Sequence, residues 1–141
     1  MILYLDASAL VKLYVEESGS AVVAARVEDA EAVVTARVTY AEARAAFARH
    51  RREGGLTVAA LRRVVRELDG EWGAYNIVDV TDPVVRRAGA LAERHALRGY
   101  DAVQLAAALN VSAHGMEVEF ASFDVRLSRA AVRERLRLSE L

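Results

Sequence analysis

Short apolar runs recur along the chain and are separated by longer segments with helical periodicity. The first run, residues 2–5, contains no charged side chain, which is typical of a strand buried on both faces in a parallel sheet. Residues 32–35, 77–80 and 118–122 are similar short runs rich in β-branched or aromatic side chains. They predict three further strands, and residues 136–138 are a candidate fifth strand.

The segments between these runs carry apolar residues at helical spacing. They predict helices over residues 9–15, 18–27, 38–52, 56–72, 82–95, 101–114 and 125–130. Ser8, Thr57 and Asp82 are residue types that cap helix N-termini, and Pro83 suits the first helical position. The glycines at 54–55 end one helix, so the helices on either side are expected to form an antiparallel hairpin.

Strands that alternate with helices predict an α/β fold. Right-handed crossovers place helices on both faces of a central, mostly parallel sheet of four or five strands, which gives a three-layer α/β/α sandwich. With 141 residues, 54% of them hydrophobic, we expect one domain over residues 1–141. In open sheets of this kind, ligands bind in the crevice beyond the carboxyl ends of the strands.

Composition and charge exclude several classes of function. The chain has no cysteine, which excludes disulfides, thiolate nucleophiles and cysteine-based zinc sites. The formal net charge of −1 argues against broad, charge-driven binding of nucleic acid. Asp6 interrupts the first apolar run and no basic segment precedes it, so neither a secretory signal nor a membrane span is expected. A cytoplasmic protein with no membrane partner is therefore predicted.

Four acidic residues fall where the predicted strands end or the following helices begin. Asp6 follows the first strand, and Asp124 follows the fourth. Glu42 lies in the first turns of the helix after the second strand, and Asp101 begins the most apolar helix. All four can point to the same end of the sheet. The alternative is an ordinary structural role, which for Asp101 is a helix cap with a gain of about 0.3–1 kcal/mol.

Carboxylates brought close together repel one another and raise their own pKa values, and a divalent cation removes this penalty. Ligand sets made only of oxygen atoms favour Mg²⁺ or Mn²⁺ over zinc. Such cations activate water and stabilise charge on phosphoryl oxygens. His50, His95 and His114 each lie in the last turn of a predicted helix, where a structural role is expected. The acids therefore predict phosphoester chemistry that depends on a metal and needs no histidine.

Four short motifs, in this order, resemble the PIN-domain family, and their spacing is similar to that of VapC-type toxins of bacterial toxin–antitoxin pairs. The motifs are Asp6-Ala7-Ser8-Ala9, Thr39-Tyr40-Ala41-Glu42, Tyr100-Asp101-Ala102-Val103-Gln104-Leu105-Ala106 and Ala121-Ser122-Phe123-Asp124. The resemblance covers the whole chain.

The resemblance implies a PIN-like fold and an endoribonuclease that hydrolyses RNA phosphodiester bonds with Mg²⁺ or Mn²⁺. It also implies a homodimer and inhibition by a small cognate antitoxin of the VapB type. The catalytic and metal-binding acids of the family correspond to Asp6, Glu42, Asp101 and Asp124. Ser8 matches the small hydroxyl residue that supports the metal ligands, and Gln104 stands where many relatives have histidine.

Other acidic α/β proteins fit less well. A phospho-receiver domain needs a lysine near its C-terminus, but the only lysine here is Lys12. A phosphatase of the haloacid dehalogenase type carries a second aspartate two residues after its nucleophile, where this chain has Ser8. The alternatives that stay open are a catalytically silent PIN-like binding protein and another Mg²⁺-dependent phosphoesterase.

Overall fold

Five strands and seven helices make up the protein, whose computed structural model describes residues 1–141. The strands are β1 (Ile2–Leu5), β2 (Ala32–Ala36), β3 (Asn76–Val78), β4 (Val118–Ala121) and β5 (Arg137–Leu138). The helices are α1 (Ala7–Val11), α2 (Ser20–Asp29), α3 (Thr39–Arg52), α4 (Val58–Glu71), α5 (Asp82–His95), α6 (Gly99–Ser112) and α7 (Val125–Arg133). A 3₁₀ turn covers Trp72–Ala74. No helix is long and apolar enough to span a bilayer.

All five strands are parallel, in the order β3-β2-β1-β4-β5. β1 is therefore the central strand, and its four side chains are buried. It pairs with β2 through Ile2 and Ala32, and with β4 through Leu5 and Ala121. The chain places β2 and β3 on one side of β1 and later places β4 and β5 on its other side. The switch point, where the strand order reverses and open sheets of this kind bind ligands, therefore lies at the carboxyl end of β1. The predicted three-layer α/β/α sandwich is confirmed, and its sheet, predicted to have four or five mostly parallel strands, has five strands that are all parallel.

The two faces of the sheet carry separate cores. Tyr4 packs on one face in a cluster of 20 buried residues, with its ring stacked on Phe120 at 5.5 Å between centroids. Leu3 and Leu5 point to the other face, into a cluster of 13 buried residues that includes Phe47. This alternation follows from the period of two along a strand. The end of β1 is thus fixed from both faces of the sheet. Burial of each of these side chains stabilises the folded state by about 1.5–3 kcal/mol.

The first helix begins earlier than its predicted start at residue 9, because Asp6 and not Ser8 is the N-cap. The Asp6 carboxylate accepts a hydrogen bond from the backbone N–H of Ala9 at 3.0 Å. Ser8 consequently lies in the first turn, and its prediction as the cap is wrong. Both residue types cap helices well, but the extended backbone at Asp6, with φ −77° and ψ 177°, starts the helix there.

The cap of α5 and the start of α6 also differ from the prediction. Thr81 occupies the N-cap position of α5, so Asp82 is the first helical residue and instead accepts a 2.7 Å hydrogen bond from Arg86. α6 begins two residues before Asp101, which places this carboxylate within the first turn. Thr57 is confirmed as the cap of α4, since its hydroxyl accepts from the N–H of Ala60 at 3.0 Å.

Candidate active site

One cavity of about 660 Å³ opens at the carboxyl edge of the sheet, next to the end of β1. The residues predicted for the site all line it, namely Asp6, Ser8, Glu42, Asp101 and Asp124. We call it the acidic cavity. Basic residues line the same cavity, namely Lys12, Arg49, Arg52 and Arg98. The fold therefore brings together carboxylates from four separate elements and surrounds them with cations.

Asp6 is almost fully buried, with 4% of its surface exposed, and both of its carboxylate oxygens are bound. Oδ1 accepts hydrogen bonds from the Ser8 hydroxyl at 2.7 Å and from the N–H of Ala9 at 3.0 Å. Oδ2 accepts from the Ser122 hydroxyl at 2.6 Å. A carboxylate with three donors and its own backbone at the end of β1 has one defined orientation.

The two serines that hold Asp6 are themselves oriented by the segment after β4. The hydroxyl oxygen of Ser8 accepts from the backbone N–H of Phe123 at 2.9 Å. That of Ser122 accepts from the N–H of Asp124 at 3.0 Å. Each hydroxyl proton is therefore left to point at the carboxylate of Asp6.

The surroundings of Asp6 disfavour its ionised form. Burial raises the pKa of Asp6 to about 6, although the hydrogen bonds from Ser122, Ser8 and Ala9 oppose this rise. The negative charge of Asp101 is a smaller contribution to the same rise. A cation close to such a carboxylate strongly stabilises its ionised form.

Glu42 lies in the first turn of α3 and is held by a buried amide. Its Oε1 atom accepts a 2.7 Å hydrogen bond from Nε2 of Gln104. The same amide nitrogen donates to the Thr39 hydroxyl at 2.9 Å, and the Gln104 carbonyl accepts from the Tyr4 hydroxyl at 2.6 Å. Burial raises the pKa of Glu42, the Gln104 hydrogen bond opposes the rise, and the charge of Asp6 adds to it.

Asp101 and Asp124 both lie near the guanidinium group of Arg98. Nε of Arg98 lies 3.2 Å from Oδ2 of Asp101, and Nη2 lies 3.9 Å from Oδ2 of Asp124. The other carboxylate oxygen of Asp124 accepts from the N–H of Leu127 at 3.0 Å and caps α7. The Arg98 side chain is 81% exposed, so it covers these two acids from the solvent side.

The donor chemistry of the cavity suits a hard divalent cation. Its negative side chains offer oxygen atoms only, which is the ligand type that Mg²⁺ and Mn²⁺ prefer. The pKa values of Asp6 and Glu42 are raised, first by burial and then by the charge of neighbouring carboxylates, so a cation nearby would stabilise their ionised forms. No three acidic or histidine side chains form a ready metal cluster. Each of the four carboxylates is bound to a donor of the protein. The residues therefore fit a cation by chemistry, and the ligand set is not preassembled.

Three residues next to the acids were given no role from the sequence. Ser122 could have been found from strand register, since Leu5 pairs with Ala121 and the next residues on each strand are therefore neighbours. Gln104 lies three residues after Asp101 on α6, so a helical projection places them on one face. The role of Arg98 could not be predicted in this way, because its contact with the acids depends on where α6 begins.

The histidines have mixed surroundings. His95 binds Oε2 of Glu134 at 2.8 Å, and His114 lies 2.7 Å from the carbonyl oxygen of Asn110 at the end of α6. His50 lines the acidic cavity, with its Nε2 atom 3.8 Å from a carboxylate oxygen of Glu17. None of the three makes a hydrogen bond or an ion pair with the four acids.

Residues 3–133 match the sequence profile of the PIN domain. The chain is 42% identical over 130 residues to ribonuclease VapC45 of Mycobacterium tuberculosis, an alignment that covers 92% of this chain and 89% of the relative.

Solved structures with the same fold include FitAcB from Neisseria gonorrhoeae, with a TM-score of 0.72 and 19% identity over 99% of this chain and 97% of the other. A toxin–antitoxin complex from Klebsiella pneumoniae contains a chain similar to this one, with a TM-score of 0.62 and 16% identity over 86% of each chain.

Proposed function

Because this chain belongs to the PIN-domain family, among the VapC-type ribonuclease toxins, we propose that its acidic cavity is the catalytic centre of a metal-dependent endoribonuclease. The observation that carries the proposal is the convergence of Asp6, Glu42, Asp101 and Asp124 on one cavity at the switch point of the sheet. The substrate is RNA, and the reaction is hydrolysis of a phosphodiester bond.

Asp6, Glu42, Asp101 and Asp124 would hold Mg²⁺ or Mn²⁺. The bound cation supplies activation of water and stabilisation of the charge that develops on the phosphoryl oxygens. Asp6 is the fixed point of the set, since Ser8 and Ser122 hold its two oxygens from opposite sides. This preorganisation matters because carboxylates that must reorient during the reaction stabilise the transition state less well.

Glu42 offers one of its two carboxylate oxygens to the cation. Its Oε1 atom is occupied by Gln104, while Oε2 makes no hydrogen bond to the protein. Oε2 is therefore the atom through which Glu42 would hold the cation.

The basic residues on the cavity wall would bind the phosphates on either side of the bond that is cut. Arg49 and Arg52 line the cavity and make no ion pair, and Lys12 faces Glu17 at 3.1 Å. Once a cation neutralises the four acids, the remainder of the chain is net positive. Binding is thus local to the cavity and does not need a broadly basic surface.

The partner that we propose is a small antitoxin of the VapB type that blocks the acidic cavity. The support is the likeness of the fold to a chain in a toxin–antitoxin complex. A homodimer and a cytoplasmic location belong to the same proposal. We propose Tyr14, Trp72 and Tyr75 as residues of this interface, where the hydroxyls of Tyr14 and Tyr75 are hydrogen-bonded to each other. Co-purification with the product of an adjacent reading frame tests the partner.

Cleavage of total RNA by the purified protein tests the catalytic proposal. We expect cleavage with Mg²⁺ or Mn²⁺, none with EDTA, and loss of activity in Asp6→Asn. Asp82→Asn is the control, because Asp82 is exposed and pairs only with Arg86. Unchanged cleavage by Asp6→Asn would contradict the mechanism. If the unaltered protein binds RNA but does not cleave it, a catalytically silent binding protein is favoured instead.

A further inference from the structure

A second cavity shares a lining residue with the acidic cavity. Its volume is about 460 Å³, and its lining includes Val125, Arg129, Val132 and Arg133 of α7. Phe123 lines both cavities. We call it the α7 cavity. The α7 cavity therefore adjoins the acidic cavity at Phe123.

Phe123 is held firmly although 37% of its surface is exposed. Its backbone N–H is bound to the Ser8 hydroxyl, one residue before Asp124. The Lys12 ammonium lies 4.7 Å from the ring centroid. Gly19 approaches the ring so closely that a Cβ there would lie 2.8 Å from Cζ. An aromatic ring fixed in this way is a preorganised surface beside the acids.

Arg129 and Arg133 are exposed, and their guanidinium groups have neither a hydrogen-bond nor an ion-pair partner. They are four residues apart on α7, so they lie on the same side of the helix and repel each other. An anion between them removes this repulsion. Val125 and Val132 line the same cavity with 64% and 54% of their surfaces exposed. The α7 cavity thus offers an apolar surface next to two arginine side chains that have no ion-pair partner.

We propose that the α7 cavity binds the nucleotide next to the phosphate that is cut. The base of this nucleotide stacks on Phe123 against the apolar wall, and Arg129 and Arg133 bind the following phosphate. This inference rests on the proposed ribonuclease function. Stacking on aromatic side chains and arginine contacts to phosphate are the usual means of binding single-stranded RNA. Continuity with the acidic cavity and two unpaired cations favour RNA over an apolar peptide as the occupant.

The test uses the full chain with Asp6→Asn as background, so that binding is measured without cleavage. The probe is a fluorescein-labelled single-stranded RNA of mixed sequence and 12 nucleotides, followed by anisotropy in Mg²⁺. Phe123→Leu keeps an apolar side chain but removes the ring, and we expect its Kd to rise about 5- to 100-fold. Phe123→Trp restores the ring and is expected to bind within about threefold of the background protein.

The double variant Arg129→Gln/Arg133→Gln is expected to weaken binding and to reduce the slope of log Kd against log salt by about 1.4, which is two phosphate contacts on a single strand. Arg62→Gln/Arg66→Gln is the matched control, since these arginines are also exposed, unpaired and four residues apart, on α4. It removes the same charge and should leave binding within about twofold.

The outcomes separate this inference from the proposed function. If the unaltered protein cleaves RNA while the Phe123 and α7 variants bind like the background protein, the α7 cavity is not a nucleotide site. An equal loss in the α4 control also overturns the inference, because the effect is then one of net charge. If the variants lose a co-purified protein partner and keep RNA binding, the cavity is a protein site. An unaltered protein that neither binds nor cuts RNA overturns the proposed function itself.

Discussion

The side-chain amide of Gln104 donates a 2.7 Å hydrogen bond to Glu42 and so joins α6 to α3 beneath the acidic cavity. Gln104 is 1% exposed, and its carbonyl oxygen accepts from the Tyr4 hydroxyl of the central strand. A chain of hydroxyls continues the network, since Thr39 lies 2.8 Å from Thr35, which donates to a backbone carbonyl of β1. No buried side-chain polar atom of this network lacks a hydrogen-bond partner.

We predict that Gln104→Met lowers both activity and stability. The methionine fills a similar volume but releases Glu42, and changes of this kind next to metal-binding carboxylates reduce activity about 10- to 100-fold. The hydroxyls of Tyr4 and Thr39 also lose a partner, at about 1–3 kcal/mol for each buried group left unpaired. Initial rates of RNA cleavage and urea unfolding measure the two effects.

Tyr4→Phe is the control for this prediction. It removes another hydrogen bond of Gln104 but leaves the contact between Gln104 and Glu42 in place. We expect a loss of about 1–2 kcal/mol in unfolding free energy and activity within about twofold of the unaltered protein. If Tyr4→Phe loses as much activity as Gln104→Met, the loss reflects general loosening of the core and not the position of Glu42.

The strand pattern was predictable because its cause is local. Residues 2–5 are all apolar, and a strand with both faces covered requires just this. The convergence of the acids followed from the same pattern, since parallel strands place their carboxyl ends at one edge of the sheet. Asp6 and Asp124 lie at that edge because Asp6 directly follows β1 and Asp124 comes three residues after the end of β4.

The choice between Asp6 and Ser8 as helix cap could not be predicted locally. Both are good capping residues, and they are only two positions apart. The Ser8 hydroxyl is instead used by the backbone N–H of Phe123, which is 115 residues away in sequence. The contact of Arg98 with Asp124 is likewise tertiary. Such partners are visible only once the strands are aligned.

We predict that Ser122→Ala impairs catalysis by releasing one oxygen of Asp6. The 2.6 Å hydrogen bond from Ser122 lowers the pKa of Asp6, so its loss raises that pKa further and weakens the affinity for a cation. We expect a decrease of about 10- to 100-fold in activity at limiting Mg²⁺. Ser112→Ala is the control, because the Ser112 hydroxyl at the end of α6 makes no hydrogen bond. Equal rates for the two variants would contradict the role given to Ser122.

We predict that Mg²⁺ stabilises the protein through the four acids. A ligand at 100 times its Kd adds about 2.7 kcal/mol to the unfolding free energy, which for a chain of this size is a rise in Tm of about 5–10 °C. Asp101→Asn should lose most of this rise. Thermal unfolding in Mg²⁺, compared with sodium chloride at equal ionic strength, is the measurement. A rise that persists in Asp101→Asn but not in Asp82→Asn would place the cation elsewhere.

We predict opposite effects of Arg98→Gln on cation and RNA binding. The Arg98 guanidinium lies 3.2 Å from the Asp101 carboxylate and competes with a cation for it. Its removal should lower the Kd for Mg²⁺ several-fold in a thermal titration, while the KM for RNA rises because a phosphate contact is lost. Arg87→Gln, which removes an exposed and unpaired arginine of α5, is expected to change neither. Weaker Mg²⁺ binding by Arg98→Gln would refute the competition.

A last prediction concerns stability in acid, away from the active site. The Glu134 carboxylate accepts hydrogen bonds from Arg94 at 3.0 Å and lies 2.8 Å from Nε2 of His95. Burial raises the pKa of Glu134, but the hydrogen bonds from His95 and Arg94 outweigh it and hold that pKa below its usual value of 4.5. The folded state therefore prefers ionised Glu134. Its contribution is full above pH 4.5 and is lost as the pH falls through the lower, folded pKa.

Glu134→Gln should accordingly lower the unfolding free energy by about 1–3 kcal/mol at pH 7, and this difference should shrink toward zero near pH 3. Urea unfolding at the two pH values measures it. Glu93→Gln, at an exposed position on the same helix as Arg94 and with no ion-pair partner, should have no effect at either pH. A difference for Glu134→Gln that is the same at pH 7 and pH 3 would mean that packing, and not the charge of Glu134, links α5 to the end of α7.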